Sequence, residues 1–178
     1  MKKVFLFLSI LIITIHSKAQ DSTQSYKPFK VIASLGGTIS FGAPPIPGIS
    51  FSLEPNYTLS DKLDVGLLFR TLTVPVRYDD IIEQEDAVSI HALADFYPVS
   101  NKVKPFVGAG FGYNLMDYSN TAHSNKLITP DNFSILTRVG LRYKHLNIAI
   151  EHYYLKTRWY NNYMEVKVGV AIGGGRKK

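Results

Sequence analysis

Eight separate runs between Phe29 and Ile172 alternate apolar with polar residues at a period of two. That period belongs to a pleated strand whose two faces meet different surroundings, because successive side chains point to opposite sides. The first run, Phe29 to Phe41, places Phe29, Val31, Ala33, Leu35, Ile39 and Phe41 on one face and Lys30, Ser34, Gly36, Thr38 and Ser40 on the other. The second, Ile49 to Leu59, sets Ile49, Phe51, Leu53, Tyr57 and Leu59 against Ser50, Ser52, Glu54, Asn56 and Thr58. The others are Leu63 to Thr73, Val88 to Pro98, Phe106 to Leu115, Phe133 to Tyr143, Leu146 to Leu155 and Asn162 to Ile172. No run has helical periodicity, so the fold class is all-β, and eight such strands joined in sequence predict an antiparallel up-and-down barrel. Leu68, Leu72 and Leu93 interrupt the polar face. Gly108, Gly110 and Gly112 leave space on one face of the fifth strand, as a tight interior requires.

The connections alternate as well. Ser60-Asp61, Ser100 to Lys104 and Lys144-His145 read as tight turns, while 42–48, 74–87, 116–132 and 156–161 read as loops that are mostly longer. Short turns on the periplasmic side and longer loops outside are the habit of barrels that cross a membrane. An even strand number then places both termini in the periplasm. Ahead of the strands, Lys2 and Lys3, the apolar run Val4 to Ile15, and the small residues Ser17 and Ala19 read as an export signal over residues 1–19. That run is too short for a spanning helix, which needs about 20 apolar residues. Residues 20–28 form a short leading segment, 29–172 the barrel and 173–178 a Gly/basic tail ending Arg176-Lys177-Lys178. The absence of cysteine removes disulfides, thiolate metal sites, Cys nucleophiles and a lipidated N-terminal Cys. Of the formal charge of +6, Lys2, Lys3 and Lys18 lie in the signal, leaving 17 basic and 14 acidic residues from Gln20 onward. That balance argues against a nucleic-acid partner.

Alternation alone does not say which face is inside. A soluble barrel of the lipocalin kind turns its apolar face inward, whereas a barrel in lipid inverts the arrangement. The polar face carries Lys30, Arg70, Arg138, Arg142 and Lys167 against Glu54, Asp64, Asp95, Glu151 and Glu165, with His91 in the same register. Equal numbers of opposite charge suit a packed interior, where an unpaired ion is costly, and these eleven residues are the candidate lumen charge network. The apolar face carries Phe29, Phe41, Tyr57, Phe96, Tyr113, Phe133, Tyr143 and Tyr154, mostly towards strand ends, where interfacial girdles form. Both arguments favour a barrel in lipid.

The alternating segments, the export signal and the stretch Lys104-Pro105-Phe106-Val107-Gly108-Ala109-Gly110-Phe111-Gly112-Tyr113 resemble the outer-membrane β-barrel domain family that includes the small OmpA- and OmpX-type barrels. The resemblance covers nearly all of the chain after the signal, and its motifs are patterns rather than catalytic signatures. It implies an outer-membrane location, with outer-membrane lipid, lipopolysaccharide and the barrel-insertion machinery as partners and a monomeric state.

Reactive groups are sparse. His91 lies two residues from Ser89, His123 adjoins Ser124, His145 falls in a turn, and His152 sits in the apolar register; none of these spacings builds a nucleophile and base. The acidic stretch Asp79, Asp80, Glu83, Glu85 and Asp86, opposed by Arg77, has no glycine for a calcium loop. Trp159 and Tyr160, beside Arg158, read as an interfacial anchor. No metal and no cofactor is expected. The expected function is non-enzymatic: a barrel with a side-chain-filled lumen, structural or making surface contacts through its loops. A narrow channel or a small-ligand-binding, lipocalin-like barrel is the alternative, and a lipid-modifying enzyme stands third.

Overall fold

The computed structural model describes residues 28–40, 47–78, 81–99, 102–118, 127–155 and 162–174. The expected export signal over residues 1–19, residues 20–27, the end of the tail, Phe41, His123, Ser124, Arg158, Trp159 and Tyr160 lie outside them. Eight strands follow one another along the chain: β1 (Phe29–Ser40), β2 (Pro47–Ser60), β3 (Leu63–Tyr78), β4 (Ile81–Phe96), β5 (Val103–Tyr118), β6 (Leu127–Tyr143), β7 (Leu146–Leu155) and β8 (Asn162–Gly173). Each pairs antiparallel with its neighbours, and β8 pairs with β1 to close the barrel. Closure leaves no sheet edge within the barrel wall, which lipid could not satisfy with hydrogen bonds.

Following the register from Phe29 through Tyr57, Val65, Ala94, Ala109, Thr137, His152 and Met164 returns to β1 at Ile39, ten residues beyond the start. Such a stagger obliges the strands to tilt by roughly 35–45° to the barrel axis. Three of the connections, at 61–62, 97–102 and 144–145, lie at the same end as Phe29 and Gly173; this is the turn end, and the other is the loop end. Register shifts between Thr58 and Ser60 and between Asn114 and Met116 fall near the rims, where bulges let a strand bend out of the wall.

Two stretches read as loops are strand. β3 continues to Tyr78 and β4 begins at Ile81, so the acidic 74–87 stretch is a hairpin that extends the wall, with Val74 opposite Glu85 and Val76 opposite Glu83. β5 likewise runs to Tyr118 and β6 starts at Leu127 inside the expected 116–132 loop. The alternation lapses there for a physical reason: beyond the lipid both faces of a strand meet water, and nothing selects apolar residues on one side.

The two faces are inverted relative to a soluble barrel. Among the described residues, thirty-one large apolar side chains are exposed on the outside, while Glu54, Glu165, Lys167, His91 and Glu151 are completely buried within. The outward positions of β8, for example, read Met164, Val166, Val168, Val170, Ile172, and those of β6 read Phe133, Ile135, Thr137, Val139, Leu141, Tyr143. Phe29, Tyr57, Phe96 and Tyr143 ring the turn end of this surface, and Tyr113, Phe133 and Tyr154 sit towards the loop end. Between the two rings no outward residue among those described is a carboxylate, lysine or arginine. Asp86 is the first, at the loop rim, where it accepts a hydrogen bond from Thr73 at 2.8 Å. An uncharged band of this kind, about 25 Å tall in such barrels, is stable only against hydrocarbon. The barrel is therefore a transmembrane one.

Candidate functional site: the charged lumen

The interior of an eight-stranded barrel is just wide enough for side chains to meet across it. Here they meet as ions, in three groups stacked along the axis. At the turn end, the Asp64 carboxylate accepts from the Lys30 ammonium and, at 2.9 Å, from Arg142 Nη1. The guanidinium of Arg142 lies 5.0 Å from the centre of the Tyr97 ring, and Lys30 Nζ lies 5.9 Å from it. Tyr97 follows directly on β4 and turns inward to pack on Phe106, placing an aromatic pair at that end of the lumen.

The middle group is the densest. Arg138 donates side-on to Asp95 through Nε at 2.7 Å and Nη2 at 2.6 Å, and its Nη1 reaches both Glu54 at 2.9 Å and Glu151 at 3.1 Å. Lys167 bridges the same two glutamates, donating to Glu54 and, at 2.6 Å, to Glu151. Tyr153 donates its hydroxyl to the other oxygen of Glu151 at 2.6 Å. Three carboxylates thus share two cations, and the fork of Arg138 fits the planar carboxylate of Asp95 in a way an ammonium does not.

Towards the loop end, Arg70 pairs with Glu165 at 2.8 Å and donates to the Tyr163 hydroxyl, while Ser50 donates to Glu165. Tyr153 and Tyr163 are stacked, 4.5 Å between centroids and 11° from parallel, and the Arg70 guanidinium lies 4.1 Å from the Tyr153 ring centre. A small apolar cluster of Leu68, Leu72, Ala87, Leu93 and Leu136 packs around these rings. This accounts for the three leucines that break the polar alternation: they fill the lumen beside the tyrosines.

All ten charged residues singled out by alternation lie inside, and each has an opposite charge within ion-pair distance. His91 stands apart from those pairs. Its Nε2 lies 2.6 Å from Ser134 Oγ, not from Ser89, and its ring meets Tyr153 edge-on. Ser134 also accepts from the Asn114 amide at 2.7 Å. This is base-to-hydroxyl distance, but both groups are fully buried in the lumen, on the opposite side of the wall from lipid. Tyr97, Tyr153, Tyr163, Phe106 and Ser134 escape a reading that seeks charges alone. Tyr153 and Tyr163 share a parity with Glu151 and Glu165, so the alternation itself carried the signal.

The closeness of the wall has its own requirement. A Cβ at Gly108 would fall on Asp95 Oδ1 and come within 3.0 Å of Arg138 Cγ. Gly108→Val should therefore push the fork off Asp95 and lower stability by about 1–3 kcal/mol, the usual penalty of overpacking. Urea titration of the folded protein checks this, and an unchanged midpoint would show that the wall has slack at β5.

An outward apolar band, girdles at both rims and a lumen closed by ion pairs are now together on one closed sheet. The fold is that of a small outer-membrane β-barrel. Neisserial surface protein A superposes with a TM-score of 0.60 at 15% identity, over 84% of this chain and 99% of that one. The N-terminal β-barrel domain of Pseudomonas aeruginosa OprF gives 0.49 at 15% identity, over 80% and 97%. The outer membrane enzyme PagL gives 0.49 at 15% identity, over 81% and 99%. No family model matches the chain. No curated protein matches it. What is shared with Neisserial surface protein A is architecture, and the lumen chemistry has to be read from this chain's own residues.

Proposed function

We propose that the protein is a non-enzymatic outer-membrane barrel whose ion-paired lumen is structural and whose contacts are made at the loop end, by the β3–β4 and β5–β6 hairpins that extend beyond the girdle. The observation that carries this reading is the middle group, in which Arg138 and Lys167 hold Glu54, Asp95 and Glu151 across the full width of the lumen. Five interlocked charges crossing the lumen at that level support an interior filled by side chains. The sequence between Val74 and Ala87 carries Asp79, Asp80, Glu83, Glu85 and Asp86 against Arg77, an acidic composition that supports contact with a cationic or divalent-bridged surface such as lipopolysaccharide. Short connections at the turn end support an orientation with that end, and both chain termini, in the periplasm.

Expression of the full chain, followed by membrane fractionation and electrophoresis of boiled and unboiled samples, tests the reading. The expected result is outer-membrane recovery with a heat-modifiable shift, and planar bilayers with no discrete ionic conductance steps. Recovery in the soluble periplasm, or stepwise ionic currents, would overturn it.

A further inference from the structure

The three connections at the turn end hold three lysines and a single carboxylate, Asp61. Lys62 lies between β2 and β3, Lys102 between β4 and β5, and Lys144 between β6 and β7, and all three are exposed. The inward-facing group beneath them is cationic as well. Asp64 answers both Lys30 and Arg142, while Asp95 is held by Arg138, so one positive charge is in excess at this level. Its field adds to that of the rim lysines and gives the turn end a positive potential.

The rim lysines stand at the depth of lipid head groups. Their connections begin just past Tyr57, Phe96 and Tyr143, aromatic residues of the ring that marks the edge of the hydrocarbon. Lys144 Nζ lies 5.4 Å from the centre of the Tyr143 ring, which is itself exposed on the lipid side, so this ammonium stays beside the girdle. The connections recur at every second strand, which separates them by about 12 Å of circumference. Cations spread around a rim in this way fit a field of anionic head groups, whereas one soluble anion would need them converged.

The backbone of Lys144 is an independent sign that the charge matters there. Its φ is 51°, in the left-handed region, where glycine or asparagine normally stands in a two-residue hairpin turn. His145 ties the same turn to β8: its ring Nδ1 lies 2.9 Å from the Ala171 carbonyl oxygen, and its own carbonyl accepts from the Ala171 amide at 2.6 Å. A lysine thus occupies a fixed position whose conformation favours glycine, at the point where its ammonium meets the girdle.

We propose that Lys62, Lys102 and Lys144 form a collar that gathers the phosphate head groups of anionic phospholipids around the turn end of the barrel. The collar rests on the barrel spanning a membrane, with the turn end at the periplasmic leaflet in the orientation proposed above. Vesicles carrying the anionic lipid in both leaflets test it whichever way the barrel inserts. A single cysteine labelled with bimane is placed at Leu141, one outward step inside Tyr143, or at Ile49 on the loop end of β2. Quenching by brominated phosphatidylglycerol, a minority lipid in phosphatidylcholine vesicles, is compared with quenching by brominated phosphatidylcholine at the same mole fraction. Heat-modifiable migration is measured on the same vesicles.

The anionic lipid should quench the Leu141 site about two- to five-fold more effectively, the enrichment that a surface cation draws from an anionic leaflet, and should show no such preference at Ile49. The Leu141 preference should vanish in high salt and in the combined Lys62→Gln/Lys102→Gln/Lys144→Gly variant. Lys144→Gly alone should lower it while leaving the urea midpoint at or above that of the parent, because glycine relaxes the turn as the charge is removed. Equal quenching by the two lipids at Leu141 in heat-modifiable protein would overturn the collar and leave the membrane reading intact, as would a preference that survives in the combined variant. A preference abolished by inorganic phosphate at constant ionic strength would assign the lysines to a soluble anion instead. Vesicles without a heat-modifiable species would overturn the membrane reading and the collar together.

Discussion

Replacing Arg138 with methionine should lower the unfolding free energy of the bilayer-folded protein by about 3–5 kcal/mol, the cost of leaving buried mates without their counter-charge. The size follows from the geometry: Asp95 loses both its charge-assisted bonds, and Glu54 and Glu151 are left to repel each other around Lys167 alone. Arg138→Lys should fall between, because an ammonium restores the charge but cannot reproduce the side-on fork on Asp95. Adding Asp95→Asn to Arg138→Met should recover part of the loss, since a neutral amide no longer needs the cation. Urea-dependent loss of the heat-modifiable form in vesicles gives all three values. A loss below about 1 kcal/mol for Arg138→Met would mean that water solvates the carboxylates as well as arginine does, and the network would then not be structural.

Val168→Arg should cost about 2–4 kcal/mol, the price of an arginine facing lipid near the bilayer midplane. Val168 stands on β8 midway between Met164 and Ile172 on the outward face. One residue earlier, Lys167 carries a charge through the same depth of membrane, completely buried and held by Glu54 and Glu151. Two adjacent residues, one tolerating a cation and the other not, mark which face meets lipid; if the Val168 face met water instead, an exposed arginine there would leave stability within about 0.5 kcal/mol. The same vesicle titration reads the difference.

The division of the wall into inside and outside was legible because it is written at every second residue. A one-residue slip anywhere would have put charge into lipid, so the alternation had to be strict wherever lipid lies alongside. The same logic explains where reading failed. β3 to β6 continue past the girdle, where the constraint ends and the pattern fades into what resembles loop. Pairing inside the lumen was not legible either. Glu54 meets Arg138 and Lys167, which are distant in sequence and not its ladder neighbours, because the stagger of the closed barrel decides which side chains arrive at the same height. The ladder neighbours of Arg138 are Gly108 and Glu151, and only the second is an ion partner. Tyr97 was hidden for a different reason: it lies past the end of β4, where parity no longer tells which way a side chain turns.

The inverted arrangement of faces is the central claim, and quenching by brominated lipid tests it most directly. The chain has no cysteine, so a single one can be introduced at Val168 of β8, at Leu35, its partner across the β1–β8 seam, or at Val107 of β5 on the far side of the barrel, and labelled with bimane before folding into vesicles. The account predicts strong quenching by bromine on the acyl chains at all three positions, with little effect of a water-soluble quencher such as iodide. Emission at these positions that bromine leaves unchanged and iodide quenches would contradict it.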